Sequence, residues 1–231
     1  MAAKTVILTH GAWADGSSWS EVIPSLRAHG LNTTAVQMPL SGFKADVATL
    51  CRAIAAAEPP VVLAGHSYGG AVITEAGTNA KVSALVYVAA FAPDAGESAD
   101  LLGKKMEPPP MATEIRPCGD GYLTLTQAGV HQDFAQDLPE PERDILFAAQ
   151  GPTAIASLTG TVSRPAWREK PSWYLVAGED RAIQPALERS MAERVGATVT
   201  EIAASHLVML SHPDAVAELI LQAANAALPR Q

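Results

Sequence analysis

Six short runs rich in β-branched and apolar residues recur along the chain: TVILTH (5–10), NTTAVQM (32–38), VVLAGH (61–66), VSALVYVAA (82–90), SWYLVAG (172–178) and TVTEIAA (198–204). Several are apolar at odd and even positions alike, so as strands they have no face to offer to water. Such strands belong in a parallel sheet covered by helices on both sides. The segments between them carry helix signals. Ser18 and Glu21 have the spacing of a capping box before VIPSLRAHG, and Gly30 suits the stop of that helix. Pro185 opens ALERSMAERVG, and Ser211 with Asp214 marks the start of AVAELILQAANAAL. This β-α alternation predicts an α/β fold with a doubly wound parallel sheet, whose ligand site lies outside the carboxyl ends of the strands.

The rhythm stops between about Ala92 and Lys170, where EPPP, CGDGYLTLTQAG and DLPEPERDILFAAQGP contain no β-α unit. This stretch reads as an insertion at the carboxyl end of the strand over 82–90. A hairpin is expected near Tyr122–Val130, with short helices around Asp133 and Glu142. The expected organisation is a core of residues 1–91 and 171–231, with 92–170 as a lid over the site.

Composition narrows the partners. The 231 residues carry a net charge of −8 with the acidic residues scattered, which disfavours phosphate backbones and anionic lipid surfaces. No stretch reaches the ~18 consecutive apolar residues of a membrane span, and the apolar run after Lys4 is too short for a signal-peptide core. Cys51 and Cys118 form neither a CxxC spacing nor a disulfide framework, and Cys51, in the helical run ADVATLCRAIAAA, is expected to be a small buried hydrophobe. A reduced, cytoplasmic protein is the expectation, with no partner among nucleic acids or membranes.

The chemistry is concentrated in GHSYGG. Gly65-x-Ser67-x-Gly69 follows a strand directly and precedes the helical run YGGAVITEAGTN, the setting in which this pattern makes a nucleophile elbow. Small residues two before and two after the serine let strand and helix approach closely, and the helix start turns amides toward the reacting oxygen. A serine hydroxyl needs a base to take its proton. On this topology the order is serine, acid, histidine, each after a strand. Asp180 follows the run 172–178 and His206 follows 198–204, so both fall on the same sheet edge as Ser67. Glu179 and Asp94 compete for the acid; Asp180 is the choice. Among the other histidines, His10 is expected to shape the first loop, His66 to point away from the nucleophile, and His29, His131 and His212 to be structural or superficial. In the loop after the first strand, Gly11 permits a tight turn, and the Ala12 amide joins that of Tyr68 as the two donors of an oxyanion hole.

With these residues in place, LTHGAWADGSSW, GHSYGG, AGEDRAIQP and SHLVMLSHP resemble the α/β-hydrolase branch that holds plant methylesterases, plant hydroxynitrile lyases and small bacterial esterases. The resemblance covers nearly the whole chain. It implies an α/β-hydrolase fold of about six mostly parallel strands, a triad of Ser67, His206 and Asp180, an oxyanion hole at Ala12 and Tyr68, and no cofactor or metal. Lyases of this branch carry threonine where Gly11 stands and lysine where Leu207 stands, so the resemblance implies an esterase.

The expected activity is hydrolysis of small apolar or aromatic carboxylic esters through an acyl-enzyme, with Gly11, Trp13 and Leu207 in the substrate pocket. Phe91, Phe134, Phe147 and Trp167 are read as core before pocket, and Arg181 as a surface residue. The alternatives are a ligand-sensing protein on the same scaffold and a lyase.

Overall fold

The computed structural model describes residues 5–226. Nine strands occur in it: β1 (Thr5–Thr9), β2 (Asn32–Val36), β3 (Val61–His66), β4 (Val82–Val88), β5 (Ile115–Gly119), β6 (Tyr122–Leu125), β7 (Thr153–Ala154), β8 (Ser172–Ala177) and β9 (Thr198–Ile202). Six of them form one parallel sheet in the order β2-β1-β3-β4-β8-β9. The inner strands β1, β3 and β8 are buried at every residue, which is why their sequences are apolar on both faces. At the two edges, β2 and β9 expose part of each strand, and their sequences NTTAV and TVTEI are correspondingly mixed.

From β1 the chain crosses to β2 on one side, and from β3 to β4 on the other. The strand order therefore reverses between β1 and β3, which opens a crevice beyond their carboxyl ends. Thr9 lies level with Gly65, so His10–Trp13 and His66–Ser67 leave the sheet side by side.

That edge also concentrates the unusual backbone. Of the five non-glycine residues with positive φ among the described residues, four (Trp13, Leu40, Ser67 and Ala89) follow the carboxyl ends of β1 to β4. A side chain in the left-handed region costs on the order of 1–3 kcal/mol, and it persists only where the surroundings leave no alternative.

The segment over 92–170 forms a second, antiparallel sheet, β5-β6-β7, with short helices. Its hairpin lies upstream of the expected place. The turn is Gly119-Asp120-Gly121, all three at positive φ, so the strands are Ile115–Gly119 and Tyr122–Leu125. Val130–Phe134 is a single π-helical turn, and Glu140–Ala149 is an α-helix.

Several local expectations are corrected. Ser18 does not cap a helix: it lies inside the 3-10 turn Gly16–Trp19, and its hydroxyl donates to Asp15 O. Asp15 caps that turn instead, accepting from Ser17 N at 2.6 Å. Ser211 closes the short helix Val208–Ser211, and the last helix begins at Pro213. Residues 227 and 228 of that expected helix lie outside the described residues. Cys51 is exposed, because its helix Phe43–Ala56 buries the face of Phe43, Leu50 and Ile54. Gly30 does end its helix, at φ +79. Among the described residues no helix is long and apolar enough to cross a membrane.

The glycines of the elbow are set by close backbone approach. A Cβ on Gly65 would stand 2.6 Å from Gly69 O, and one on Gly69 would stand 2.6 Å from Thr9 O and His10 O. Gly69→Ala should therefore lower the urea midpoint by about 1–3 kcal/mol of stability, since the clashing atoms are backbone and cannot rotate aside. Gly103→Ala, in the helix Ala99–Gly103 with nothing within 4 Å of its added Cβ, should be neutral or stabilising by roughly 0.5–1 kcal/mol in the same assay.

Candidate active site

Ser67 is the residue between β3 and the helix Tyr68–Ala76, at φ +53 and ψ −125. Its carbonyl accepts from Gly70 N at 3.0 Å and Phe91 N at 3.1 Å, and its amide donates to Val88 O at 3.2 Å. The backbone of the elbow is thus held from both sides while the side chain is left to the crevice.

The structure brings Asp180 and His206 together. His206 Nδ1 lies 2.5 Å from Asp180 Oδ2, with the histidine 1% and the aspartate 5% exposed. Asp180 Oδ1 accepts from Ala182 N at 2.6 Å and Ile183 N at 2.8 Å, so the carboxylate cannot turn away. With Nδ1 donating to Asp180, Nε2 is the nitrogen free to accept a proton. His206, Ser67, Ala12 and Tyr68 all line one cavity of about 480 Å³. The remaining wall is largely apolar, with Phe91, Met111 and Ile183 among it, and Asp100 paired to Lys104 at 2.7 Å is its main charged feature.

The competitors for these roles are occupied elsewhere. Asp94 forms a two-pronged pair with Arg168 at 2.6 and 2.8 Å. Glu179 is exposed, and its carbonyl accepts from Gln136. His10 shapes the first loop: Nε2 accepts from Met38 N at 2.9 Å and Nδ1 donates to Gly11 O at 2.8 Å. Burial lowers the pKa of His10, in keeping with a neutral ring that both donates and accepts. His212 bonds Ser211 Oγ, His29 bonds Ser25 O, and His131 pairs with Asp144.

His66, the last residue of β3, is a neighbour of the site although its side chain is expected to point away from the nucleophile. It is fully buried, its ring is 4.6 Å from that of His206, and its Nε2 donates to His206 O at 2.9 Å. Desolvation, reinforced by the field of His206, holds its pKa well below the ordinary histidine range, so the ring is neutral. It steadies the loop of the proposed base through the backbone.

Two expected pocket residues do not line the cavity. A Cβ on Gly11 would lie 2.8 Å from Ser67 Cβ and 3.0 Å from His66 Nδ1, so Gly11 packs beneath the nucleophile. Leu207 is fully buried behind the histidine, where its amide donates to Ser205 Oγ. Trp13 does line the cavity, and its indole N–H donates to Leu123 O at 3.0 Å while its amide donates to Thr153 Oγ1. Of the four aromatics read as core, Phe91 faces the cavity. Phe134 packs 5.2 Å from the His206 ring, Trp167 donates to Pro93 O, and Phe147 is partly buried against the core.

Arg181 has a role that its type concealed. Its Nε donates to Asp133 Oδ1 at 2.6 Å, which ties the Asp180 loop to the insertion. Asp137 accepts from Ser205 N at 2.8 Å and ties down the histidine loop in the same way. Asp46 was concealed as well, because an acidic residue in the first turn of a helix ordinarily serves the helix dipole. Here it is fully buried, accepting from Leu40 N at 2.8 Å, Tyr68 Oη at 2.7 Å and Ser157 Oγ at 2.8 Å. Burial and the Asp46 charge push the Tyr68 hydroxyl well above the ordinary phenol range, so it remains a donor. Among the described residues no three His, Cys, Asp or Glu side chains gather to hold a metal ion.

A model of the alpha/beta hydrolase family matches residues 6–219. Salicylic acid-binding protein 2 of Nicotiana tabacum is 27% identical, covering 96% of this chain and 97% of that protein. Methylesterase 1 of Arabidopsis thaliana is 26% identical, covering 94% and 92%. Among solved structures, a pyrethroid hydrolase from Sphingobium faniae superimposes with a TM-score of 0.83 at 24% identity, covering 96% of this chain and 98% of that one, a likeness that shows the fold.

Asp46→Ala would strand one amide and two hydroxyls in the interior and should cost roughly 3–5 kcal/mol in urea unfolding. Tyr68→Phe, which leaves Asp46 two of its three donors, should cost about 1–2 kcal/mol in the same measurement.

Proposed function

The chain belongs to the alpha/beta hydrolase family, and from that premise we propose that it hydrolyses small, apolar or aromatic carboxylic esters through a serine acyl-enzyme. The observation that carries this reading is the buried Asp180–His206 pair, whose histidine lines one largely apolar cavity together with Ser67. Relatives of this chain are named as esterases and methylesterases, which supports ester hydrolysis at the level of the family.

In the proposed mechanism, His206 Nε2 takes the Ser67 proton as Oγ attacks the ester carbonyl carbon. The carbonyl oxygen becomes an oxyanion facing the amides of Ala12 and Tyr68, each worth on the order of 10²–10³ in rate. His206 returns the proton to the leaving alkoxide, so an alcohol departs. A water then gives a proton to His206 and adds to the acyl carbon, and the carboxylic acid leaves as Ser67 recovers its proton. Asp180 keeps the imidazole in the tautomer that this sequence needs. No cofactor enters the proposal, the partner is a small-molecule ester, and the proposed compartment is the cytoplasm.

The apolar wall favours neutral acyl groups, because a charged group there would lose its hydration without a partner. Leu207, buried and uncharged, supplies no cation for a cyanide leaving group, and Gly11 leaves no room for a larger side chain beneath Ser67. Both weigh against the lyase. A sensing role on the same scaffold draws support from one relative's name, salicylic acid-binding protein 2.

Hydrolysis of nitrophenyl esters from acetate to octanoate tests these readings together. Wild type should show a chain-length optimum, and Ser67→Ala should lose at least about 10⁴-fold in kcat. Asp180→Asn should lose a comparable factor, about 10⁴, with little change in KM. Absence of turnover on every ester by a folded wild type would remove the esterase reading in favour of sensing.

A further inference from the structure

A second carboxyl group lies behind Asp180, and the proposed mechanism makes no use of it. Glu188 belongs to the first turn of the helix Pro185–Arg194 and is fully buried. Its Oε2 accepts from Ala177 N at 3.1 Å, at the end of β8, three residues before Asp180. Its Oε1 has no donor facing it among the described residues and is closed off from solvent. The carboxyl that acts on Glu188 is that of Asp180, whose own amide donates to Ala177 O at 3.2 Å, so both acids are fastened to the same residue at the end of β8. Two carboxylate oxygens are both acceptors, so only a proton between them satisfies either one. Asp180 is already bound to His206 and to two amides, which leaves Glu188 as the carboxyl to carry that proton.

We propose that Glu188 is a neutral carboxylic acid that donates its proton to Asp180, and that it is thereby a positioning residue for the Asp180–His206 pair. This rests on the serine hydrolase reading above. A neutral donor at that place spreads the Asp180 charge and fixes the carboxylate from behind. An ionised Glu188 would instead put two negative charges next to His206, which would hold the imidazolium and withdraw the base. The other groups around it agree with a neutral form. Tyr174 of β8 is a phenol that donates to Ala90 O, and Arg189, the neighbour on its own helix, points outward to Glu201. Desolvation, followed by the charge of Asp180 and the hydrogen bond to it, drives Glu188 well above the ordinary carboxylate range.

Native Glu188 keeps a proton that the unfolded chain loses above about pH 4.3, so the native state binds more protons and its stability falls as pH rises. Glutamine carries no such term and preserves the donor.

Glu188→Gln and Glu188→Met, which keeps the length and lacks the donor, test the inference. The urea midpoint of Glu188→Gln relative to wild type should rise steadily between pH 5 and 8; a gap that stays constant would mean that Glu188 is ionised in the native protein and would overturn the proposal. This readout needs no substrate, so it decides the protonation of Glu188 even if no ester is hydrolysed. On an ester that is turned over, Glu188→Gln should retain the acid limb of the pH–rate profile. Glu188→Met should lower kcat/KM at pH 6 by roughly three- to tenfold with little loss at pH 8, because Asp180 then bears its charge undiluted against His206. An acid limb that Glu188→Met leaves in place would show a packing role only and sink the positioning role. A limb that Glu188→Gln moves down by about one pH unit would mean that a charge had been removed, and would sink it too.

Discussion

The contact on which the site depends is the one between backbone and backbone at Gly65, Gly69 and Gly70. There the end of β3 and the start of the next helix press on one another and on the chain leaving β1 and β4, and the nearest atom that a Cβ on each glycine would meet is a backbone atom. The closeness forces Ser67 into the left-handed region, a conformation that serine does not choose for itself. Gly11 completes the arrangement from below, against Ser67 Cβ and His66 Nδ1. The strain is held by the sheet on one side and the helix on the other, so the serine stays presented to the crevice without any contact of its own side chain having to hold it.

Around this rigid point, the loops that carry the other candidate residues are tied to the insertion. The Trp13 loop is bonded to Leu123 and Thr153, the Asp180 loop to Asp133 through Arg181, and the His206 loop to Asp137 through Ser205 N. These ties differ in strength. Arg181 is half exposed, and an ion pair in that position contributes about 0–1 kcal/mol. The Asp46 cluster lies in the interior, where water cannot replace a lost partner, and it joins Tyr68 to Ser157 of the insertion. The insertion therefore does more than roof the cavity. It shares hydrogen bonds with the loops that carry Trp13, Asp180 and His206, and through Asp46 it reaches Tyr68.

Two carboxyl groups close together in the interior, Asp180 and Glu188, have been given opposite surroundings. One receives two amides and an imidazole; the other receives a single amide and an acid neighbour. Unequal solvation by the backbone is what separates an anion from a neutral acid when both are denied water.

Much of this was legible in the chain. The β-α rhythm and the two-sided apolar runs predicted the parallel sheet, because a strand's burial on both faces is written directly in its residues. Glycine spacing marks the elbow, and the places of Ser67, Asp180 and His206 directly after parallel strands put them on one sheet edge. What sequence could not show depended on contacts across the fold. Gly11 and Leu207 stand next to pocket and catalytic candidates in the chain, yet one packs under the serine and the other behind the histidine. Asp46, Arg181 and Glu188 look like ordinary surface charges in their local context; Asp46 takes its role from burial against Ser157 of the insertion, and Glu188 from burial against the end of β8. Local pattern determines which elements form and where a loop emerges. Which buried acid is charged, which side chain meets the cavity and what holds each loop are decided by contacts between separate elements, and those exist only in the folded chain.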